Sequence, residues 1–124
     1  MNLKAPFIYG SIAALIFGLL FVFIPSLALS VFDISLSLEG NFFVRLFGAS
    51  LFGIGVMSWL AKDAPPSDAR RHIILGEIFH SGIATIIFVF GFFQGIGNLL
   101  MIFPLLIHLS LTLWWGYLYS KGAK

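Results

Sequence analysis

The sequence predicts an all-α membrane protein, a bundle of four transmembrane helices formed by residues 1–124 as one domain. Three observations carry that prediction. Of 124 residues, 60% are hydrophobic and 10% are charged, too little charge to cover the outside of a water-soluble domain. The apolar residues gather into four runs, each of a length that crosses a hydrocarbon layer about 30 Å thick. Lysine and arginine fall almost entirely on one side of those runs. Inside lipid, every backbone N–H and C=O must be bonded within the protein, which for segments of this length means helices.

The first span is Phe7 to Ile24, uncharged, about 27 Å long as a helix and bounded by Pro6 and Pro25. A secretory signal peptide competes for this stretch, with Lys4 before it and Ala28-Leu29-Ser30 as a faint cleavage site, but the apolar run is too long for one. The second span runs from Phe42 to Leu60. It ends at "AKDAPPSDARRH", whose paired prolines and clustered charges mark a solvated turn. The third covers Ile73 to Phe93. After the break at "QGIGN", the fourth covers Leu99 to Tyr119 and closes on Trp114, Trp115, Tyr117 and Tyr119, a membrane-interface set of aromatics. Between the first two spans, "SLALSVFDISLSLEGN" alternates polar and apolar residues from Asp33 to Glu39, the pattern of a short strand or of an amphipathic segment in the headgroups.

Both termini and the loop after the second span hold Lys4, Lys62, Arg70, Arg71, Lys121 and Lys124, while the other side has only Arg45. This bias places both termini in the cytoplasm of a multi-pass inner-membrane protein. The formal net charge of +2 is spread over membrane flanks and makes no basic patch, so nucleic acid is not expected as a partner. The absence of cysteine excludes disulfides, thiol nucleophiles and thiolate metal sites.

Helices in lipid associate through close packing, so small residues at regular spacing point to contact faces. The first span offers Gly10, Ala14 and Gly18. The second offers Ala49 and Gly53, flanked by Gly48 and Gly55. Both sets are read as internal packing ahead of an oligomer interface, and Gly91 and Gly95 as shaping a turn.

An ionisable residue inside a span costs on the order of 2.5–3.5 kcal/mol and calls for a partner or a purpose. Arg45 sits about one turn inside the outer boundary and is expected to snorkel or to pair with Asp33 or Glu39. Glu77, His80, Ser81 and Ala84 share one helical face, which should turn toward the bundle. His108, Thr112, Trp115 and Tyr119 project from one side of the fourth span. By helical rise, His80 lies about 11 Å from the inner boundary and His108 about 14 Å from the outer one, so the two fall within a turn of each other. A helix starting at Pro104 instead of Leu99 would carry His108 outward. One reading of Glu77, His80 and Ser81 is a structural hydrogen-bonded cluster. Others are metal ligation through Glu77, His80 and His108, or axial ligation of a haem or pigment by the histidines.

The stretch "RLFGASLFGIGVMSWLAKDAPPSDARRHIILG", with "VFDISLS" before it, resembles small bacterial four-span proteins of DoxX-like type, chiefly in the Arg-x-x-Gly-Ala opening at Arg45, Gly48 and Ala49 and in the charged turn after Trp59. The resemblance implies a compact four-helix unit in a bacterial inner membrane and supplies no catalytic residue. Small multidrug resistance transporters differ, since their essential glutamate lies in a first span that here is uncharged. The function expected is a non-enzymatic accessory or stabilising subunit beside other membrane subunits, or a homo-oligomer, in contact with membrane lipids. The alternative is a binder of haem, pigment, metal, quinone or lipid around Glu77, His80 and His108, with Trp115 and Tyr119 at its mouth. A proton-coupled transporter is the third class.

Overall fold

A computed structural model of the chain describes residues 3–123. All regular structure among them is helical: α1 (Lys4–Phe23), α2 (Pro25–Ser30), α3 (Leu38–Ala61), α4 (Asp68–Phe93), a 3-10 turn (Leu99–Met101) and α5 (Ile102–Ser120). Four of these helices are long and apolar enough to cross a membrane, the 3-10 turn continuing directly into α5.

The element boundaries follow from local chemistry. Pro6 falls in the first turn of α1, where its missing N–H is not needed. Pro25 ends α1, because its ring would clash with the preceding turn, and it becomes the first residue of α2. The expected strand from Asp33 to Glu39 does not form. Asp33 turns the chain with a positive φ of 57°, a conformation aspartate tolerates better than most residues. Ser37 then caps α3, its hydroxyl accepting from the Gly40 N–H at 3.0 Å, so this helix starts ahead of its apolar run. Ser67 caps α4 in the same way, accepting from the Arg70 N–H at 3.2 Å, and that helix also begins before Ile73. Gly95, at φ 71°, closes α4 in a Schellman motif in which Ile96 N–H reaches Gly91 O at 2.9 Å and Gly95 N–H reaches Phe92 O at 3.1 Å. The 3-10 turn leaves Pro104 within the first turn of α5, where proline is harmless, and keeps His108 at the depth expected from a start at Leu99.

Each spanning helix buries one narrow stripe at alternating steps of three and four: Phe7, Ser11, Ala14 and Gly18; Gly48, Leu51, Gly55 and Ser58; Arg70, Ile74, Glu77 and Ser81; Leu111, Trp115 and Leu118. Most remaining large apolar side chains, such as Phe79, Phe90 and Leu113, point outward, as lipid-facing residues should. α1 lies antiparallel along α3, and α4 along α5, while the two pairs touch each other much less.

The α1/α3 seam is backbone against backbone. A Cβ added at Gly18 would stand 2.7 Å from Phe52 N, and one at Gly48 would stand 2.9 Å from Gly18 O. Gly55 takes the Leu15 side chain in the same manner. This corrects the expected face of the second span: Ala49 is exposed and a Cβ at Gly53 would meet nothing within 4 Å. The seam follows the seven-residue step from Gly48 to Gly55, the step that a helix pair at shallow crossing angle repeats.

The buried core sits at the end where both termini lie and joins Leu3, Phe7, Ala61, Ile74, Leu111, Trp115, Leu118 and Ala123. Phe7 meets Trp115 edge to face with ring centroids 4.6 Å apart. Lys4 and Lys62 flank Asp63 at 2.8 and 2.7 Å, linking the start of α1 to the end of α3. The two ammonium groups hold the Asp63 carboxyl down to about 2. Because that pKa is depressed on folding, any stabilisation is complete above the ordinary aspartate value and fades as pH falls toward 2. Arg71 over Tyr119 and Lys62 over Trp59, at 4.2 and 4.1 Å, continue the belt of cations and aromatics at this end.

Gly48→Ala places a methyl against the α1 backbone and is expected to destabilise the protein by about 1–3 kcal/mol. Gly53→Ala, facing open space, should be neutral or slightly stabilising. Thermal unfolding in detergent compares the two, and equal effects would reject this seam.

Candidate ligand cavity

Tight packing at one end and slim contact between the helix pairs at the other leave a cavity of about 470 Å³ lined by all four spanning helices. Its volume falls in the range of small-molecule sites. The wall is almost entirely apolar and includes Phe17, Phe21, Phe32, Phe47 and Phe88, with Gly10, Ala13, Ala14 and Ala84 providing room. Among the described residues, the only polar ones on it are Glu77, His80 and His108.

The end of the cavity away from the core at the termini is covered by Leu29 and Phe32 from the α2 connection and by Met101 and Pro104 at the start of the last span. Asn98 stitches these two connections together. Its side-chain amide donates to Val31 O at 2.9 Å and to the Asp33 carboxylate at 3.2 Å, and its backbone N–H donates to Phe32 O at 2.9 Å. Gly97, at φ 74°, lets the chain pass beside Phe32, where a Cβ would stand 2.9 Å from the carbonyl oxygen.

Toward the other end, Glu77 is 5% exposed, and its Oε1 accepts a hydrogen bond from the Ser58 hydroxyl across the α3/α4 junction. Glu77 makes no ion pair among the described residues. The expected Glu77–His80–Ser81 cluster does not form. The Ser81 hydroxyl donates instead to the Glu77 backbone carbonyl one turn back, at 2.6 Å, and spends its hydrogen on its own helix. Thr112 does likewise, donating to His108 O at 2.8 Å.

His80 and His108 meet across the α4/α5 pair, with ring centroids 5.6 Å apart and planes at 69°. Phe88 stacks on the other side of His108 at 5.5 Å. The His108 Nδ1 is buried with no hydrogen-bond partner. A desolvated polar group left unpaired carries a cost, and a ligand atom in the cavity would complement it. No group of three or more His, Asp or Glu side chains among the described residues is arranged to hold a metal ion.

The other residues singled out in the sequence lie elsewhere. Trp115 and Tyr119 are not at the cavity mouth: Trp115 is enclosed beside Phe7, and Tyr119 lies under Arg71 at the opposite end of the fold. Arg45 joins neither Asp33 nor Glu39; its guanidinium donates to Val22 O and so satisfies one of the last carbonyls of α1. Ser58 was not anticipated as the partner of Glu77. Its signal was positional, since it continues the Gly48, Leu51, Gly55 stripe toward the depth of Glu77.

No family model matches the chain, and no curated protein or solved structure matches it either.

Ser58→Ala removes the only hydrogen bond that the described residues make to the Glu77 side chain and is expected to lower stability by about 1–3 kcal/mol. Glu77→Gln, which keeps a carbonyl acceptor for Ser58, should be milder. Thermal unfolding of both variants in detergent tests this ordering, and a silent Ser58→Ala would remove the pair from the account.

Proposed function

We propose that this protein binds a hydrophobic small molecule within the membrane, holding it between the α1/α3 and α4/α5 pairs. The observation that carries this reading is the apolar cavity whose only polar wall groups among the described residues, Glu77, His80 and His108, gather away from the covered end. The ligand is an elongated or polycyclic apolar body with one polar end, the shape shared by quinones and many lipids. The cavity favours this over a purely stabilising subunit, because a protein that only fills space between partners gains nothing from an internal void with ionisable walls. Contact with membrane lipids follows from the outward apolar faces, and assembly with other membrane subunits or with copies of itself is compatible with ligand binding. Haem or pigment ligation by His80 and His108 is less favoured, since the two rings touch each other and would have to part to admit a macrocycle. Membership of the DoxX-like group fits the same four-span layout and adds no residue to the site.

A bacterial inner membrane with both termini in the cytoplasm is the placement we favour, on the strength of the lysine and arginine bias. The chain has no cysteine, so single thiols can be introduced cleanly. In intact cells, a membrane-impermeant maleimide should label Ser35→Cys and should reach Ala64→Cys only after permeabilisation. The reverse pattern would invert the topology.

Ala84→Trp should fill the cavity without touching the α1/α3 seam. Mass spectrometry of solvent extracts from gently purified protein is expected to reveal a small apolar compound in near-stoichiometric amount with wild type and little with the filled variant. Its absorption spectrum identifies any haem or pigment. Indistinguishable extracts would sink the binding reading.

A further inference from the structure

Glu77 is 5% exposed at the α3/α4 junction, and among the described residues its side chain makes one hydrogen bond and no ion pair. Neither lysine nor arginine of the described residues lines the cavity it borders. An ionised carboxylate in apolar surroundings is costly, and where no cation is at hand the group keeps its proton instead. A neutral carboxylic acid has needs of its own: one oxygen accepts, and the other carries a hydrogen to donate. The Ser58 hydroxyl makes no bond to its own helix, so its hydrogen is committed to Glu77 Oε1. The acid hydrogen therefore belongs on Oε2, and no described residue accepts it.

Resting on the proposed cavity function, we infer that the ligand's polar end is uncharged and carries an oxygen, carbonyl or hydroxyl, that accepts a hydrogen bond from neutral Glu77. Charge of either sign is disfavoured there. An anion finds no lysine or arginine on the described wall, and a cation finds no carboxylate, since a proton occupies it. The polar groups around Glu77 are Ser58 from α3, His80 one turn along its own helix, and His108, which meets His80 from α5; α1 brings only apolar residues to the wall. Arg70, two turns back on the same buried stripe, lies beyond Ile74, with its guanidinium over the Phe7 ring and donating to Lys62 O at 3.4 Å. A neutral imidazole has one donor and one acceptor nitrogen, so a ligand hydroxyl can pass its own hydrogen to a histidine and a carbonyl can take a second bond from one. From Glu77 the α4 wall runs about 16 Å by helical rise to Phe88, and the apolar body lies along it toward the covered end.

The test uses the full chain in detergent micelles. Infrared difference spectra between wild type and Glu77→Gln in neutral buffer should show the carbonyl band of a protonated carboxyl group in wild type alone; its absence from wild type overturns the inference. Equilibrium binding is then measured with three probes of one shape: acetylnaphthalene, the alcohol made by reducing it, and ethylnaphthalene as the hydrocarbon control. Comparing one probe across variants cancels its partition into the micelle. Ketone and alcohol should bind equally in mildly acidic and mildly alkaline buffer and stay within about twofold in Glu77→Gln, whose amide N–H stands in for the acid O–H. Both should weaken about tenfold in Glu77→Leu, while the hydrocarbon binds all three proteins alike and so reports that they are folded. A loss confined to one oxygenated probe supports the inference and selects its head group. Glu77→Gln losing as much as Glu77→Leu, or a tenfold change with pH, overturns the neutral donor. If Glu77→Leu binds none of the probes, the Glu77→Gln and pH series decide. Ketone and alcohol binding untouched by Glu77→Leu overturns head-group recognition and leaves the cavity reading standing. Wild type that binds none of the probes overturns the inference, and the cavity reading falls with it only if the solvent extracts are also clean.

Discussion

The structure depends on how closely α1 and α3 approach. In hydrocarbon there is no gain from hiding apolar surface, so helix pairs are held by direct packing and by the few polar contacts they share. At Gly18 and Gly48 the backbones themselves are in contact, closer than any side chain would permit. That seam makes one half of the protein a firm unit along most of its length. The second half joins it mainly around Phe7, Trp115 and Ile74 at one end, so the gap toward the other end is a consequence of where packing is concentrated.

Polar satisfaction then determines what the gap can hold. Serine and threonine hydroxyls along the spans return to carbonyls of their own helices, Arg45 covers a carbonyl of α1, and Ser58 serves Glu77. These arrangements leave the membrane-facing surface free of polar demand. Among the described residues, three buried side-chain nitrogens keep no partner, Nε of Arg70, Nε1 of Trp115 and Nδ1 of His108, and only the last belongs to a residue of the cavity wall, where Glu77 has a single hydroxyl donor. An interior of this kind is specified for an occupant by what it lacks as much as by its shape.

The spans were legible in the sequence because hydropathy and backbone satisfaction in lipid leave little freedom. Their ends were less so: α3 and α4 start at the serine caps Ser37 and Ser67, about one turn ahead of the apolar runs, because a helix is limited by its cap and not by where hydrocarbon begins. The nearness of His80 and His108 could be read from residue rise alone. The face of α3 could not be read correctly from Ala49 and Gly53, since a four-residue spacing describes short right-handed crossings and the long antiparallel seam here follows a seven-residue repeat. Serine at position 58 looked inert because its importance comes from a partner 19 positions away on another helix.

The knot at Asn98 closes the rim of the cavity remote from the buried core. One residue, through its side-chain amide to Val31 and Asp33 and its backbone N–H to Phe32, ties the crossover from the first helix pair to the hinge of the second. Spreading the pairs at that end would pull on this junction. The rim thus behaves like a drawstring, and the stiffness of the chamber's aperture is set by a residue that never touches its contents.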